Sequence, residues 1–269
     1  MKRLVCLLAA VAALSCPAAD TECKPNAPCY SADTVVSAAS GERGALAPNA
    51  LASIYGERLA YTERAIQLSD IQAGQLPVLL PNSGVQVLLA GRYAPLYYVS
   101  PSQVNFLIPS DLRPGQVTLQ LVREGTAGPA VRVKLKKAAP ALFQVDAATV
   151  VASHTDYSLV SEQAPAHPGE WVILWATGLG EVTPRADPVA IPLQAASLER
   201  MQSFAVILDN VPVTAERIGY AGLAPGWGGL YQVNLRVPVG VGPKPEIRLV
   251  AEEEASPSGV RIWLDPQAK

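Results

Sequence analysis

The sequence predicts an all-β protein built from two tandem β-sandwich domains of similar fold. The main reason is an internal duplication, because residues 103–109 (QVNFLIP) are repeated 129 positions later as residues 232–238 (QVNLRVP). A second pair, residues 48–59 and 168–179, matches at an offset of 120 positions, so both pairs keep their order with a small insertion in the later copy. A period of this length indicates duplicated domains rather than a solenoid of short repeats.

Short apolar or alternating segments, separated by turns, recur along the chain. Its 269 residues include 24 prolines and 20 glycines, and only 16% of them are charged. Such segments at a spacing of about 8 to 15 residues, with Gly or Pro between them, are typical of β-sandwiches. Helical periodicity is limited to a turn or two within residues 63–71 and 195–202. In chain order, the predicted strands are residues 85–89, 104–108, 117–122, 131–135, 205–208, 211–213, 231–237, 246–250 and 260–264.

The N-terminus has the layout of a secretory signal peptide, which we place at residues 1–19. A basic start precedes an apolar run at residues 4–14, and small residues follow at Ala18 and Ala19. A run this short cannot span a bilayer, which needs about 20 apolar residues. Lipidation at Cys16 is the less favoured alternative, because Ala13 stands where a bulky aliphatic residue is usual. Both alternatives predict an exported protein, either extracellular, periplasmic or at the outer cell surface.

The mature chain is expected to begin with a short segment, residues 20–33, closed by a disulfide between Cys23 and Cys29. Two cysteines this close together can form a small loop in an oxidising compartment. A zinc site would need two further soft ligands, and the only histidines, His154 and His167, lie far away in sequence. We therefore predict a disulfide, no metal site and no cofactor.

The two predicted β-sandwich domains occupy residues 34–142 and 143–269. Their junction falls within residues 139–148 and contains no long Ser- or Gly-rich linker, which predicts a close and fairly rigid pairing. The formal net charge is −2, and no basic run is longer than Lys136-Lys137. This charge pattern argues against nucleic acid as a partner.

The repeated QVN strand is interpreted mainly as a structural element. Alternation directs Val104, Phe106 and Ile108 inward and directs Gln103 and Asn105 outward. The later copy has the same alternation, and the proline after each copy ends the strand because proline cannot donate to a β-ladder. We expect the outward amides to hydrogen-bond neighbouring backbone or an adjoining loop, while a ligand site on this face stays open as an alternative.

Several motifs in a fixed order resemble one known family. They are VVSAAS (35–40), LAP (46–48), SIYG (53–56), APLYYVSPSQVNF (94–106), ATGLG (176–180), YAGLAPG (220–226) and GLYQVN (229–234). Together they resemble the uncharacterised C-terminal domain family that is expanded in Solibacter and other acidobacterial secreted proteins. The resemblance covers about residues 34–264. Asn49 and Ala141 depart from it, since the family tends to have glycine at both positions.

The resemblance implies that each half is similar to the immunoglobulin-like modules of the plexin and transcription-factor class. It implies no activity, cofactor or catalytic residue, because the family has none agreed. The expectation for the fold is therefore all-β, with two tandem immunoglobulin-like β-sandwich domains related by internal duplication.

Enzymatic chemistry finds little support among the residues. A hydrolase would need a nucleophile, a base and an orienting acid, and no Gly-x-Ser-x-Gly motif is present. The candidate bases are His154 and His167, with Asp156 nearby, so a hydrolase around these histidines is the least favoured alternative. The acidic run at residues 252–254 is interpreted as a solvated hairpin tip, because the ligand spacing of calcium loops is missing.

Aromatic residues around the two QVN strands are the favoured binding residues. Tyr97 and Tyr98 precede the first strand, while Trp227 and Tyr231 flank the start of the second. Exposed aromatic side chains on sandwich loops can stack on sugar rings or anchor a protein partner. The alternative is that Trp227 folds back over its own sheet or packs between the domains.

The sequence therefore favours a non-catalytic exported module that interacts with an extracellular or envelope protein. A carbohydrate-binding module that uses the same aromatic residues is the alternative, with a glycan as the partner. No catalytic residue and no metal ligand are assigned.

Overall fold

The computed structural model describes residues 23–265 and consists of two immunoglobulin-like β-sandwiches, which confirms the all-β fold class. The signal peptide predicted at residues 1–19 and the alternative lipidation site Cys16 lie outside the described residues. Within residues 23–265, no helix is long and apolar enough to cross a membrane.

The first sandwich consists of two antiparallel sheets. Its strands are β1 (Val35–Ser37), β2 (Leu51–Tyr55), β3 (Arg64–Ala65), β4 (Val85–Leu89), β5 (Arg92–Tyr93), β6 (Leu96–Val99), β7 (Gln103–Leu107), β8 (Gly115–Arg123), β9 (Thr126–Ala127) and β10 (Val131–Leu135). One sheet has the order β1-β2-β7-β6-β3, and the other has the order β10-β8-β4-β5 with β9 beside β8. Alternate residues such as Val85, Val87 and Leu89 of β4 are buried, because one face of each sheet points to the core.

The second sandwich repeats most of this layout, and its larger sheet has additional strands at the edges. Its strands are β11 (Ala141–Leu142), β12 (Gln144–Asp146), β13 (Thr149–Val150), β14 (Ala152–His154), β15 (Trp171–Thr177), β16 (Val182–Thr183), β17 (Ala196–Leu198), β18 (Ala205–Leu208), β19 (Val211–Pro212), β20 (Ile218–Leu223), β21 (Tyr231–Arg236), β22 (Ile247–Ala251) and β23 (Glu254–Ala255). The larger sheet has the order β11-β15-β21-β20-β17-β16, with β14 also paired to β15. The smaller sheet has the order β19-β18-β22-β23, and β12 pairs with β13.

Single turns of 3-10 helix connect some strands of the described chain, at Ala32–Thr34, Leu68–Asp70, Met201–Ser203 and Ala215–Arg217. The strand predicted at residues 260–264 is wrong. Only isolated bridges form there, from Arg261 to Thr149 and to Glu246, and from Leu264 to Ala166. The segment changes partners along its length, so no continuous ladder develops.

The strand registers reproduce the internal duplication. In the first sandwich, β2 pairs with β7 so that Tyr55 lies opposite Gln103. In the second, β15 pairs with β21 so that Trp175 lies opposite Gln232. These counterparts are 120 and 129 positions apart, which are the offsets of the two sequence repeats. The duplication inferred from sequence is therefore a duplication of strand pairing.

A shared β-bulge locates the insertion in the later copy. Tyr98 lies opposite Asn105 next to a bulge between β6 and β7, and Tyr220 lies opposite Asn234 next to a bulge between β20 and β21. The offset between counterparts rises from 122 on one strand to 129 on the other. Seven residues are therefore inserted in the connection between β20 and β21, whose tip, residues 224–230, we call the hairpin loop.

The buried apolar residues form two clusters, one for each sandwich. The first contains residues from Tyr30 to Leu135, and the second contains residues from Ala138 to Leu264. Both QVN strands contribute their alternate residues to these clusters, as predicted. Strand β11 hydrogen-bonds to β15 and so belongs to the larger sheet of the second sandwich. The domain boundary placed after residue 142 stays a prediction.

The N-terminal segment is closed by a disulfide between Cys23 and Cys29, as predicted. Arg123, of which only 3% is exposed, fixes this segment to the first sandwich. Its guanidinium group donates to the backbone oxygen of Asn26 at 2.5 Å and to that of Arg58 at 2.6 Å.

Candidate functional site

A groove with a volume of about 610 Å³ opens on the outer face of the larger sheet of the second sandwich. Volumes of 300–1,000 Å³ are usual for small-molecule sites, as an order of magnitude. None of the described residues that line it carries a charge. We call it the aromatic groove, because its main side chains are Phe143, Tyr157, Trp175, Trp227, Leu230 and Gln232.

Two side chains of the aromatic groove come from neighbouring strands of the sheet. Trp175 and Gln232 lie opposite each other and point outward, because their neighbours Leu174 and Val233 are fully buried on the inner face. The indole nitrogen of Trp175 donates to the hydroxyl oxygen of Ser153 at 3.2 Å, which fixes the ring. This part of the site is therefore held by regular sheet structure.

The amide groups of the two QVN strands hydrogen-bond to each other. Gln232 donates to the side-chain oxygen of Asn234 at 2.7 Å, and Gln103 donates to that of Asn105 at 2.8 Å. The expected partners were backbone groups or a loop, so the partner is different from the predicted one, and the alternative of a ligand site on this face stays a prediction. Gln232 lines the groove, and among the described residues its carbonyl oxygen accepts no hydrogen bond.

Tyr157 lines the groove from a tight turn that follows β14. Its φ of 69° is left-handed, a region that bulky residues rarely adopt, and 70% of the side chain is exposed. Two sets of hydrogen bonds close the turn. The backbone N–H of Tyr157 donates to the carbonyl of His154 at 3.0 Å. The carboxylate of Asp156 accepts from the backbone N–H and from the hydroxyl group of Ser158. This turn holds the exposed ring of Tyr157 at the edge of the groove.

Trp227 projects from the hairpin loop, and 56% of it is exposed. The ends of the loop are tied together, because Ala224 N–H donates to the carbonyl of Leu230 at 2.9 Å. Gly226 N–H donates to the carbonyl of Pro192 at 2.7 Å. The tryptophan therefore stands on a closed loop and lines the groove on the outer face of its own sheet.

The other side of the hairpin loop packs on the first sandwich. This contact region, where Leu51 and Leu107 meet the loop, is called the seam. A Cβ atom on Gly229, whose φ is 77°, would lie 2.6 Å from Leu107 and 3.0 Å from Leu51. A side chain at this position would force Leu107 to shift, and Gly228 and Gly229 are both buried while Trp227 is exposed. The alternative that this segment packs between the domains is therefore correct for Gly228 and Gly229, but not for Trp227.

Tyr231 does not reach the groove, which corrects its assignment as a binding residue. It occupies an inward position of β21 and is fully buried. Its hydroxyl group donates to the carbonyl of Gly180 at 2.5 Å and accepts from the side-chain nitrogen of Asn49 at 3.2 Å. Burial raises the pKa of this hydroxyl group. Alternation along the strand, which buries Val233 and Leu235, buries Tyr231 by the same rule.

Tyr97 and Tyr98 lie outside the aromatic groove. The hydroxyl group of Tyr97 donates to the carbonyl of Gly228 at 2.8 Å, and burial raises its pKa. The hydroxyl group of Tyr98 donates to the carboxylate of Glu63 at 3.0 Å. Of the four predicted aromatic residues, Trp227 alone lines the groove.

The two histidines named as candidate bases lie near one carboxylate. Nδ1 of His154 is 2.5 Å from Oε1 of Glu170, and its Nε2 is 3.2 Å from the carbonyl oxygen of Ala164. The backbone N–H of His167 donates to Oε2 of Glu170 at 2.8 Å, and its Nδ1 is 3.1 Å from Oδ2 of Asp265. Both ring nitrogens of His154 are occupied, so this ring ties β14 to the turn before β15.

Within residues 23–265, no serine or threonine hydroxyl hydrogen-bonds to either imidazole ring. The same residues hold no cluster of His, Cys, Asp or Glu with the make-up of a metal site. The acidic run forms a hairpin tip between β22 and β23, as predicted, but its ends are paired. Glu254 contacts Lys136 at 2.5 Å, and Glu252 contacts Arg200 at 3.3 Å.

No family model matches the chain, and no curated protein matches it. Among solved structures, it is similar to SGBP-B of the Bacteroides ovatus mixed-linkage glucan utilization locus, in complex with a mixed-linkage heptasaccharide. The identity is 10% and the TM-score 0.33, over 82% of this chain and 42% of that one. A surface glycan-binding protein of Prevotella bryantii matches at 10% identity and a TM-score of 0.27, over 86% and 41%.

Tandem immunoglobulin repeats of Dlar match at 12% identity and a TM-score of 0.22, over 82% of this chain and 92% of that one. By contrast, the chain spans only about two fifths of the length of the Bacteroides and Prevotella proteins. Likeness of this degree says nothing about ligand or activity.

Proposed function

We propose that this protein is a non-catalytic, exported binding module that recognises carbohydrate through the aromatic groove. The observation that carries the proposal is the uncharged groove in which exposed Trp227 and Tyr157 stand around the fixed ring of Trp175. One face of a sugar ring presents C–H groups that stack on aromatic rings, while its hydroxyl groups need hydrogen-bond partners. The free carbonyl oxygen of Gln232 supplies such a partner beside the rings.

The ligand is a neutral glycan, because a groove without charged side chains offers no counter-charge to an acidic one. The groove is also open, so it accommodates a segment within a longer polysaccharide chain. The disulfide between Cys23 and Cys29 supports location in an oxidising compartment. Two immunoglobulin-like sandwiches support the proposed membership of the acidobacterial secreted-protein family.

The test is retention by soluble polysaccharides in native gels, with cellulose ether, mixed-linkage β-glucan, xylan and galactomannan as neutral probes and polygalacturonate as the acidic one. We expect retention by at least one neutral probe, and Trp227→Ala should weaken it about ten-fold or more. Trp171→Ala is the matched control, since Trp171 points outward from the same strand as Trp175 but does not line the groove. Equal retention of both variants, or no retention of the wild type by any neutral probe, would reject the proposal.

The sequence favoured interaction with an extracellular protein, and a different part of the surface supports that function. Val211 and Val239 are 66% and 70% exposed and line one recess of about 350 Å³ together with Pro212 and Pro238. Exposed apolar side chains gathered in one patch are typical of protein contact sites. Val239→Asp should abolish such binding and leave polysaccharide retention unchanged, so co-purification from culture medium with both variants separates the two functions.

A further inference from the structure

We propose that Tyr97, in the first sandwich, is a positioning residue for the aromatic groove of the second. It holds the hairpin loop from behind and thereby fixes the direction of Trp227. This inference rests on the proposed function for its effect on ligand binding, but its structural part can be tested without a ligand.

The first step is the contact between Tyr97 and the loop. The hydroxyl group of Tyr97 donates to the carbonyl of Gly228, the residue directly after Trp227, at 2.8 Å. A Cβ atom on Gly228 would lie 3.2 Å from that hydroxyl oxygen and 3.0 Å from Leu76. Glycine therefore allows the backbone to come close enough for the hydrogen bond, and no side chain of the loop intervenes.

The second step is a matching contact on the next peptide group. The buried hydroxyl group of Thr177 donates to the carbonyl of Gly229 at 2.7 Å and accepts from the backbone N–H of Leu51 at 2.8 Å. Two consecutive carbonyl groups of the loop are thus each held by a hydroxyl group, one from each sandwich. Tyr97 is the contribution of the first sandwich.

The third step concerns Trp227 itself. Its backbone N–H lies 3.4 Å from the carbonyl oxygen of Ala224, a long contact that holds it weakly. It stands between Gly226 and Gly228, and glycines allow many backbone conformations. Without the anchor on Gly228, the tryptophan would sample several directions and would have to be ordered on binding. An anchor that is already in place removes this entropic penalty.

The insertion explains why such an anchor is needed. The equivalent hairpin of the first sandwich is seven residues shorter and carries no counterpart of Trp227. In the longer loop the second sandwich holds Gly229 through Thr177, while the peptide group next to Trp227 is held by Tyr97 of the first sandwich. The binding unit is therefore the pair of sandwiches and not the second sandwich alone.

The experiment uses Tyr97→Phe, which keeps the ring and removes the hydroxyl group, with Tyr98→Phe as the matched control. We expect Y97F to weaken retention by the neutral probe about five-fold, the effect of one hydrogen bond, and Y98F to leave it unchanged. Tyr97→Leu keeps apolar bulk beside Leu76 and must reproduce the loss. Thermal unfolding of all variants verifies that they are folded.

A second readout is independent of any ligand. The chain has four tryptophans, so 5-fluorotryptophan labelling gives four fluorine NMR signals, and Trp227→Phe assigns one of them. The Trp227 signal should shift or broaden in Y97F while the other three stay in place. If it does so and no polysaccharide is retained, positioning stands and the proposed function fails. An unchanged Trp227 signal, or unchanged retention by Y97F, overturns the inference.

Discussion

The hydroxyl group of Tyr231 lies 3.2 Å from the side-chain nitrogen of Asn49, and this buried contact joins the two sandwiches. Asn49 has a φ of 61°, and its counterpart in the second copy, Gly169, has a φ of 84°. Asparagine tolerates this left-handed conformation better than most residues. It therefore keeps the turn that glycine would make and adds a polar side chain directed at the neighbouring sandwich.

Tyr231→Phe should lower the free energy of unfolding by about 1–3 kcal/mol, because the amide of Asn49 and the carbonyl of Gly180 lose their buried partner. Urea denaturation followed by circular dichroism measures the change. The control is Tyr93→Phe, whose ring is 48% exposed and which should change stability by no more than about 0.5 kcal/mol. Equal effects of the two substitutions would contradict the role of the contact.

Gly229→Ala should destabilise the protein more than Gly226→Ala does. Both glycines have left-handed φ values, 77° and 87°, so each substitution carries a conformational cost of about 1–2 kcal/mol. A Cβ atom on Gly226 meets nothing within 4 Å, whereas one on Gly229 lies 2.6 Å from buried Leu107. Overpacking should add about 1–3 kcal/mol for G229A, measurable as a lower urea midpoint. A midpoint for G229A at or above that of G226A would show that the loop is not packed on Leu107.

Arg123→Met should destabilise the first sandwich by about 1–3 kcal/mol and release the N-terminal segment. The substitution leaves the backbone oxygens of Asn26 and Arg58 without their donor. Amide hydrogen exchange at Lys24, Asn26 and Ala27 should therefore be faster than in the wild type. Arg132→Met, at an exposed position of β10, is the matched control. No difference between R123M and the wild type would show that other contacts hold the segment, such as the hydrogen bond from Arg58 to the carbonyl of Ala27 and the backbone pairing of Cys29 with Glu57.

His154 should make stability depend on pH. Burial by itself would lower its pKa, but hydrogen bonds to Glu170 and to the carbonyl of Ala164, with the charges of Glu170 and Asp156, raise the pKa above 6.5. Both ring nitrogens face oxygen acceptors, so only the imidazolium form donates to both. Its stabilisation is fully present below pH of about 6.5 and is lost as the pH rises through the raised pKa.

The measurement is the difference in unfolding free energy between wild type and His154→Gln at pH of about 5.5 and about 8.5. The difference should be larger at the lower pH. Glu170→Gln removes the charged partner and should flatten the pH dependence of the wild-type histidine. A difference that is the same at both pH values would show that the imidazolium is not favoured in the folded protein.

Much of the fold is readable from local patterns. The offsets of 120 and 129 residues reappear as strand registers, and the alternation of the QVN strands buries the predicted side chains. The strand predicted at residues 260–264 does not form. Its apolar residues alternate as in a strand, but the segment bridges to different partners along its length. Partner choice depends on tertiary structure, which alternation does not encode.

The aromatic groove is only partly readable. Trp227 was identifiable from its glycine neighbours, and applying alternation to β15 and β21 would have placed Trp175 and Gln232 outward and Tyr231 inward. Tyr157 gives no such signal, because its exposure depends on a turn whose left-handed φ is unusual for tyrosine. Four aromatic residues from separate parts of the chain meet only once the sheet has formed.

The seam also distinguishes the outer surfaces of the two sandwiches. The hairpin loop docks on Leu51 and Leu107, and the counterparts of these residues in the second sandwich are Trp171 and Arg236. The second sandwich therefore has a large ring and a cation at the positions where the first has the aliphatic side chains that contact the glycines of the hairpin loop. The duplication kept the pairing of the two strands and not the aliphatic surface on which the loop packs.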